Sequence, residues 1–296
     1  MSTSTLALPV GSCTVHFHPA TPAARNALVR RYDQHLIATA SQASIHLIHE
    51  PRGATSPDSV DDRYGFQTSL AGDRLEMHSA VANAAIDLGQ GSGTIQMDFG
   101  ERAADYYLEN ILRQLFQLVA IRQQAFLVHA AGIRASNETG QIFAGQSGAG
   151  KSTISKILAV LGYDVLSDDL VLIEAGGTTP RLCSTPFYGT YRPSTTVPRS
   201  TDLDAINFLQ QAPHPSAQEI SDVAVGTALL LTNIPFADSI DTRHRKELID
   251  VTSRLIASVT ARRLAFRPDT SFLRFTGLPV TGWQTKTSTP LRKETA

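Results

Sequence analysis

The sequence predicts a mixed α/β chain. A smaller α+β unit comes first, followed by a larger α/β unit built around a glycine-rich loop between a strand and a helix. Three observations predict this. The first hundred residues alternate apolar and polar positions in short runs with one helical interval. Residues 103–123 carry the strongest helical periodicity in the chain. After them the pattern shortens into apolar runs and a turn that lead into Gly145-Gln146-Ser147-Gly148-Ala149-Gly150-Lys151-Ser152.

Taken in order, Thr14–His18, Leu75–His78 and Thr94–Phe99 alternate and predict strands, the last most clearly. Residues 23–39 set Leu28, Val29, Tyr32, Leu36 and Ile37 at helical spacing. Arg52–Asp62, rich in Gly, Ser, Pro and Asp, reads as an exposed loop. Within 103–123, Leu108, Ile111, Leu112, Leu115, Leu118 and Val119 recur every three or four residues and form one apolar stripe. Phe126–Ile133 is too short for a helix. With the turn Asn137-Glu138-Thr139-Gly140 and the strand Gln141–Ala144 it predicts a hairpin that feeds the loop. Lys151–Leu161 is helical and stops at Gly162, a residue suited to a helix C-terminus. Val165–Ile173 reads as a strand and 180–198 as irregular. Helices are expected at about 217–232 and 246–264, the second with Leu248, Ile249, Leu255, Ile256 and Val259 on one face. The tail from Thr285 is polar and Thr-rich and is expected to be loose. The expected organisation is an N-terminal α+β domain over 1–102, a connecting helix over 103–125, an α/β domain over 126–280 and a flexible tail over 281–296.

The chain has 296 residues, 42% hydrophobic and 18% charged, enough for one large or two ordinary domains with a core that needs no staples. Its 26 Lys and Arg against 27 Asp and Glu leave a formal charge of -1. That balance supplies no global attraction to nucleic acid or to an anionic membrane, so neither is an expected partner. Cys13 and Cys183 alone build neither a disulfide framework nor a four-ligand zinc site, and two buried thiols are expected. The opening residues lack a charged segment followed by a sustained apolar one. No stretch approaches the roughly 20 apolar residues of a membrane span. The expected location is the cytoplasm.

Residues 145–152 satisfy the P-loop pattern G-x-x-x-x-G-K-[ST]. Gly145, Gly148 and Gly150 allow backbone angles that side chains forbid and let main-chain N–H groups approach phosphate oxygens. The helix that starts near Gly150 directs unpaired N–H groups and its positive dipole end at the same anion. Gln146, Ser147, Ala149 and Thr153 belong to this cradle. Lys151 places a point charge on the β and γ phosphates, and the Ser152 hydroxyl is a hard oxygen ligand suited to Mg²⁺. ATP and Mg²⁺ are the cofactors expected. A serine-nucleophile elbow, G-x-S-x-G, fails at Ala149.

Ser167-Asp168-Asp169 follows one helix and one turn later. If the next strand returns beside the loop strand, both carboxylates come back to the phosphates. One then holds Mg²⁺ and the other accepts a proton from an incoming hydroxyl. The apolar run Leu170–Ile173 follows the acids, whereas a Walker B element has its apolar run before them.

Val128-His129-Ala130-Ala131-Gly132, the loop 145–152 and Gly162-Tyr163-Asp164-Val165-Leu166-Ser167-Asp168-Asp169 together resemble the catalytic domain of the HPr kinase/phosphorylase family. Those bacterial serine kinases share their architecture with ATP-dependent phosphoenolpyruvate carboxykinase. The resemblance covers 128–174 and continues more weakly through Ser184–Thr190 and Phe266-Arg267-Pro268-Asp269. It implies an HPr kinase/carboxykinase-like P-loop domain for the C-terminal part. It also implies that Lys151 and Ser152 bind the triphosphate and Mg²⁺, that Asp169 is the general base with Asp168 assisting the metal, and that His129 lies near the phosphates. The pair of roles can be exchanged between the two aspartates. The Glu-Ile-Arg-Gly signature of HPr-directed members is absent after the Asp pair. The resemblance therefore implies a different acceptor, such as a serine of a precursor peptide, since relatives serve as tailoring kinases in lasso peptide and other peptide biosynthetic clusters. It also implies a homo-oligomer. A small-molecule kinase of the same fold and a P-loop switch ATPase are the competing readings.

Weaker constellations remain. His16 and His18 share a strand face, and His46 and His49 form a similar pair, each expected to be an ordinary histidine rather than a metal ligand. Arg192, Arg199, Arg243, Arg245 and Lys246 are candidates for acceptor or phosphate contact.

Overall fold

The computed structural model describes residues 5–36, 43–51, 65–99, 104–191, 198–238 and 240–278. It is mixed α/β with two sheets. The alternation near the N-terminus becomes a hairpin of β1 (Leu6–Val10) and β2 (Cys13–His18), turned at Gly11 with a φ of +56°. Helix α1 (Pro22–Tyr32) follows. The Thr21 hydroxyl caps it by accepting from Ala24 N, and proline occupies its first position. The chain then enters β3 (Ala43–Glu50), parallel to β2, which makes a strand–helix–strand crossover. A meander of β4 (Gln67–Ala71), β5 (Arg74–His78), β6 (Ala82–Asp87) and β7 (Ser92–Met97) completes the first sheet. Its strand order is β1-β2-β3-β7-β6-β5-β4.

The expected helix over 23–39 is shorter than its spacing suggests. It ends at Tyr32, passes through a 3-10 turn at Asp33–His35, and Leu36 is already extended. Residues 37–39, the loop 52–62, Arg192 and the tail from Thr285 lie outside the described residues.

Helix α2 (Ala104–Ile121) buries the whole predicted stripe, Leu108, Ile111, Leu112, Leu115, Leu118 and Val119. It packs against β2 and β6 of the first sheet and against β8 (Ala125–Arg134) of the second. The predicted hairpin is present: β8 pairs antiparallel with β9 (Thr139–Ala144). Helix α3 (Lys151–Val160) follows the loop and ends before Gly162, whose φ is +85°.

Beyond α3 the structure corrects several expectations. The single strand over 165–173 is two, β10 (Asp164–Ser167) and β11 (Leu170–Glu174), split at Asp168–Asp169 with a register shift between Val165 and Ser167. Both pair with β8, so the aspartates return one strand away from β9 rather than beside it. The irregular stretch holds β12 (Arg181–Cys183), and a long strand, β13 (Ser200–Gln211), follows it. Residues 216–219 are strand β14 (Ser216–Glu219), not helix. Helix α4 (Val223–Leu231) starts only after the Asp222 cap, whose carboxylate accepts from Ala224 N and Val225 N. Helix α5 (Thr242–Ser258) starts at the Asp241 cap and stops before β15 (Thr260–Phe266), which pairs parallel with β13. Strands β8, β11, β12, β13 and β9 pair successively and close a ring.

One apolar core runs through both sheets and α2. A smaller one gathers Ile154 and Leu158 of α3 with Phe143, Phe266 and Phe272. Cys13 and Cys183 are both buried and free. Among the described residues no helix is long and apolar enough to cross a membrane.

Candidate functional site

Strand β9 ends at Ala144 inside the core, and the chain reverses through Gly145–Gly150 into α3. Gly148 and Gly150 have φ of +81° and +106°, in the left-handed region. Gly150 also lies close against the Phe266 ring of β15: a Cβ there would overlap Cζ and stand 3.0 Å from Cε1. The Gln211 amide donates to Gly148 O at 2.7 Å, and Ala149 N donates to Gln146 O at 3.0 Å. These bonds brace a loop whose residues Gln146, Ser147 and Gly148 are exposed. No side chain caps α3, so the first-turn amides of Lys151, Ser152 and Thr153 stand at the positive end of its dipole.

The Lys151 ammonium donates to Gly145 O at 2.6 Å and to Gln146 O at 3.1 Å. Burial pulls its pKa down, while the charges of Asp169 and Asp168 pull the other way. Both carboxylates therefore act electrostatically on the loop lysine.

Asp168 is buried and fully engaged. Its Oδ1 accepts from Gly189 N at 2.9 Å. Its Oδ2 accepts from Tyr191 N at 2.8 Å and from the Ser152 hydroxyl at 3.2 Å. The segment Ser184–Tyr191 is folded around this carboxylate. Thr185 donates to Leu170 O at 2.6 Å, and the Ser167 hydroxyl donates to Phe187 O at 3.1 Å.

Asp169 has different partners. Its main chain is fixed by Ala130 N donating to Asp169 O at 3.0 Å. His129 Nδ1 stands 3.0 Å from Oδ1, and the Arg113 guanidinium donates to Oδ2 at 2.7 Å. Burial alone would raise its pKa. The His129 hydrogen bond and the Arg113 charge outweigh burial and hold the carboxyl below its usual value. His129 reaches this position as the cross-strand partner of Leu170 in the β8–β11 pair, and its own N–H donates to Asn233 O at 2.7 Å.

A cleft of about 970 Å³ opens beside this group. Gly145, Gln146, Ser147, His129 and Arg113 form one end, and the turn after α4 with Arg245, Leu248 and Ile249 of α5 forms the other.

The structure thus gathers His129, Lys151, Ser152, Asp168, Asp169 and the loop glycines in one place. Thr153 is exposed in the first turn of α3. Sequence reading missed Arg113 and its partner Glu109. The signal was present as an i, i+4 ionic pair set among buried positions of α2, where an acid is rarely buried unless paired.

The other candidates are placed variously. Arg199 pairs with Asp164, which also binds Arg134 at 2.9 Å, and burial brings the Arg199 pKa down to about 10. Arg243 pairs with Glu247 at 3.2 Å, Lys246 is exposed, and only Arg245 reaches the cleft. His46 joins His16 and His18: its ring stacks on His16 at 4.7 Å, and its Nδ1 lies 3.1 Å from His18 Nε2. Among the described residues no group of three or more His, Cys, Asp or Glu is arranged to hold a metal. His49 lies 3.0 Å from Met97 O and accepts from Ala20 N.

No family model matches the chain, and no curated protein matches it.

Proposed function

We propose that this chain is an ATP-dependent phosphotransferase that passes the γ-phosphoryl group to a serine hydroxyl of a protein or peptide, in the manner of the HPr kinase-related enzymes it resembles. The carrying observation is the bond between Ser152 Oγ and Asp168 Oδ2, which joins the glycine-rich loop to the carboxylate pair, while a cleft lined by the loop residues Gly145, Gln146 and Ser147 and by the Asp169 partners His129 and Arg113 opens beside them. In this reading the loop amides and Lys151 bind the β and γ phosphates. The acceptor hydroxyl approaches through the cleft, and Asp169 takes its proton. The hydroxyl oxygen bonds to the γ phosphorus as the bond to the β–γ bridging oxygen breaks, and ADP leaves. Phosphoryl transfer asks the protein for positioning and charge more than for covalent work.

Ser152 and Asp168 suit Mg²⁺ by donor chemistry, being two adjacent oxygen ligands. When bound, that ion would neutralise phosphate charge. The backbone N–H groups of Gly189 and Tyr191 aim the Asp168 carboxylate at Ser152.

A small-molecule kinase of the same fold is the second reading. The cleft volume favours it, because 970 Å³ falls within the roughly 300–1,000 Å³ of ordinary ligand pockets. Incubation with γ-³²P-ATP, Mg²⁺ and the neighbouring gene products, followed by mapping of the label, separates the readings. Label on a serine of a macromolecule supports the first, and label on a small molecule supports the second. Label released only as free phosphate leaves a switch ATPase.

A further inference from the structure

Asp169 belongs to a chain of alternating charges that starts in the N-terminal sheet region. Arg31 of α1 pairs with Glu109 of α2. Glu109 accepts from Arg113 Nη2 at 2.5 Å, and the same nitrogen donates to Asp169 Oδ2 at 2.7 Å. The side chains of Glu109, Arg113 and Asp169 are 10%, 21% and 14% exposed, so these charges are largely withdrawn from water. Their signs explain how they coexist: two arginines and two acids sum to zero, and each interior member has an opposite charge on both sides. Arg113 is further confined by Phe187, with its guanidinium carbon 5.4 Å from the ring centroid. Phe187 lies in the segment that wraps Asp168.

We propose that Arg113 is a positioning residue for Asp169, held in place by Glu109 and Arg31, and that through it α1 and α2 set the orientation of the proposed base. This rests on the reading of Asp169 as that base. No residue of the chain Arg31–Glu109–Arg113 lies in the loop or the Asp doublet. A carboxylate used as a base must present one oxygen in a fixed direction. His129 holds Oδ1 and Arg113 holds Oδ2, so the carboxylate plane is set from both sides. A guanidinium suits this task because the two N–H bonds of its planar Nη2 point in fixed directions, one to each carboxylate, whereas an ammonium rotates freely.

The test uses the full-length protein with ATP and Mg²⁺ in water, reading kcat and KM of ADP release at neutral pH for wild type, Arg113→Met, Arg113→Lys and Asp169→Asn. Arg113→Met should lower kcat by about 10- to 100-fold with KM for ATP unchanged, because Oδ2 of Asp169 loses its holder. Arg113→Lys should recover part of that loss and stay about tenfold below wild type, because charge is restored but the fixed N–H directions are not. A purely structural arginine would lower the melting temperature of Arg113→Met and leave kcat as in wild type, which overturns the inference. Should Arg113→Met not fold, wild-type kcat in Arg113→Lys overturns it equally. If Asp169→Asn abolishes turnover while the Arg113 variants behave as wild type, only this inference falls. If Asp169→Asn keeps turnover, the proposed base falls, and this inference with it.

Discussion

The Ser152 hydroxyl donates to Asp168 Oδ2 at 3.2 Å, across sixteen residues of sequence. The contact differentiates the two adjacent aspartates. Asp168 spends both oxygens on Ser152 and on two backbone N–H groups, and it is 2% exposed. The Asp169 carboxylate is instead held by two side chains, His129 and Arg113, and lies beside the cleft that those two residues line. A fixed, fully bonded carboxylate next to a serine suits metal orientation. A carboxylate held by a histidine and an arginine beside a cleft suits proton transfer.

Lys151→Ala should weaken ATP binding by about 10- to 100-fold, the usual effect of losing a hydrogen bond to a charged group. The fold should survive, since the ammonium is bonded only to Gly145 O and Gln146 O and its burial already disfavours its charge. Calorimetric titration with Mg-ATP measures this, with melting temperature as the control. Wild-type affinity in the alanine variant would remove the loop lysine from the proposed phosphate site.

Asp169→Asn should keep ATP affinity and lose about 10²–10⁴ of transfer. It should also change stability with pH in a defined direction. The folded pKa of Asp169 lies below its ordinary 3.8. The ionised form therefore stabilises the fold above that ordinary value, and the contribution fades as pH falls through the lower folded value. Melting curves between pH 2 and 6 should show a steeper acid loss for wild type than for the asparagine variant. Parallel curves would mean that His129 and Arg113 do not hold the charge.

Much of this site is legible in the sequence because it is local. The loop's glycines and the Lys-Ser pair act through backbone angles and a helix end, and one helix and one turn bring the Asp doublet back. Arg113 is a different case. Nothing within several residues of it predicts Asp169, and the two meet because α2 packs on β8, which pairs with β11. The fold shows the same division. The α2 stripe was readable, but Thr260–Phe266, with Ala, Arg and Leu, continued a helical pattern and is strand because parallel pairing with β13 overrides propensity. Strand β13 itself alternates over Thr201–Ala205 but was hidden behind the Pro-rich stretch.

His35 should make the fold acid-sensitive well above the carboxylate range. Burial, partly offset by Asp33, brings its pKa from 6.5 down to about 4, and Nε2 lies 2.7 Å from the Tyr188 hydroxyl. The unfolded chain thus takes up this proton first as pH falls, so stability is lost from about pH 6.5 toward 4. At pH 5 the loss amounts to about 2 kcal/mol, or several degrees in melting temperature. His35→Gln should flatten the difference in melting temperature between pH 7 and pH 5. An equal slope in both proteins would assign the acid sensitivity elsewhere.

Gly150→Ala tests whether the loop's shape is set by packing as well as by conformation. Its φ of +106° is strained for any residue with a Cβ, and that atom would meet the Phe266 ring. Together these should cost about 1–3 kcal/mol of stability and abolish Mg-ATP binding. The two causes separate in a double-mutant cycle with Phe266→Leu. The smaller side chain relieves the ring overlap but not the backbone angle, so part of the stability should return while binding stays lost. Denaturant melts of the four proteins read the coupling directly. Additive losses, with no recovery in the double variant, would show that the ring does not constrain the loop and leave the left-handed angle as the sole reason for glycine there.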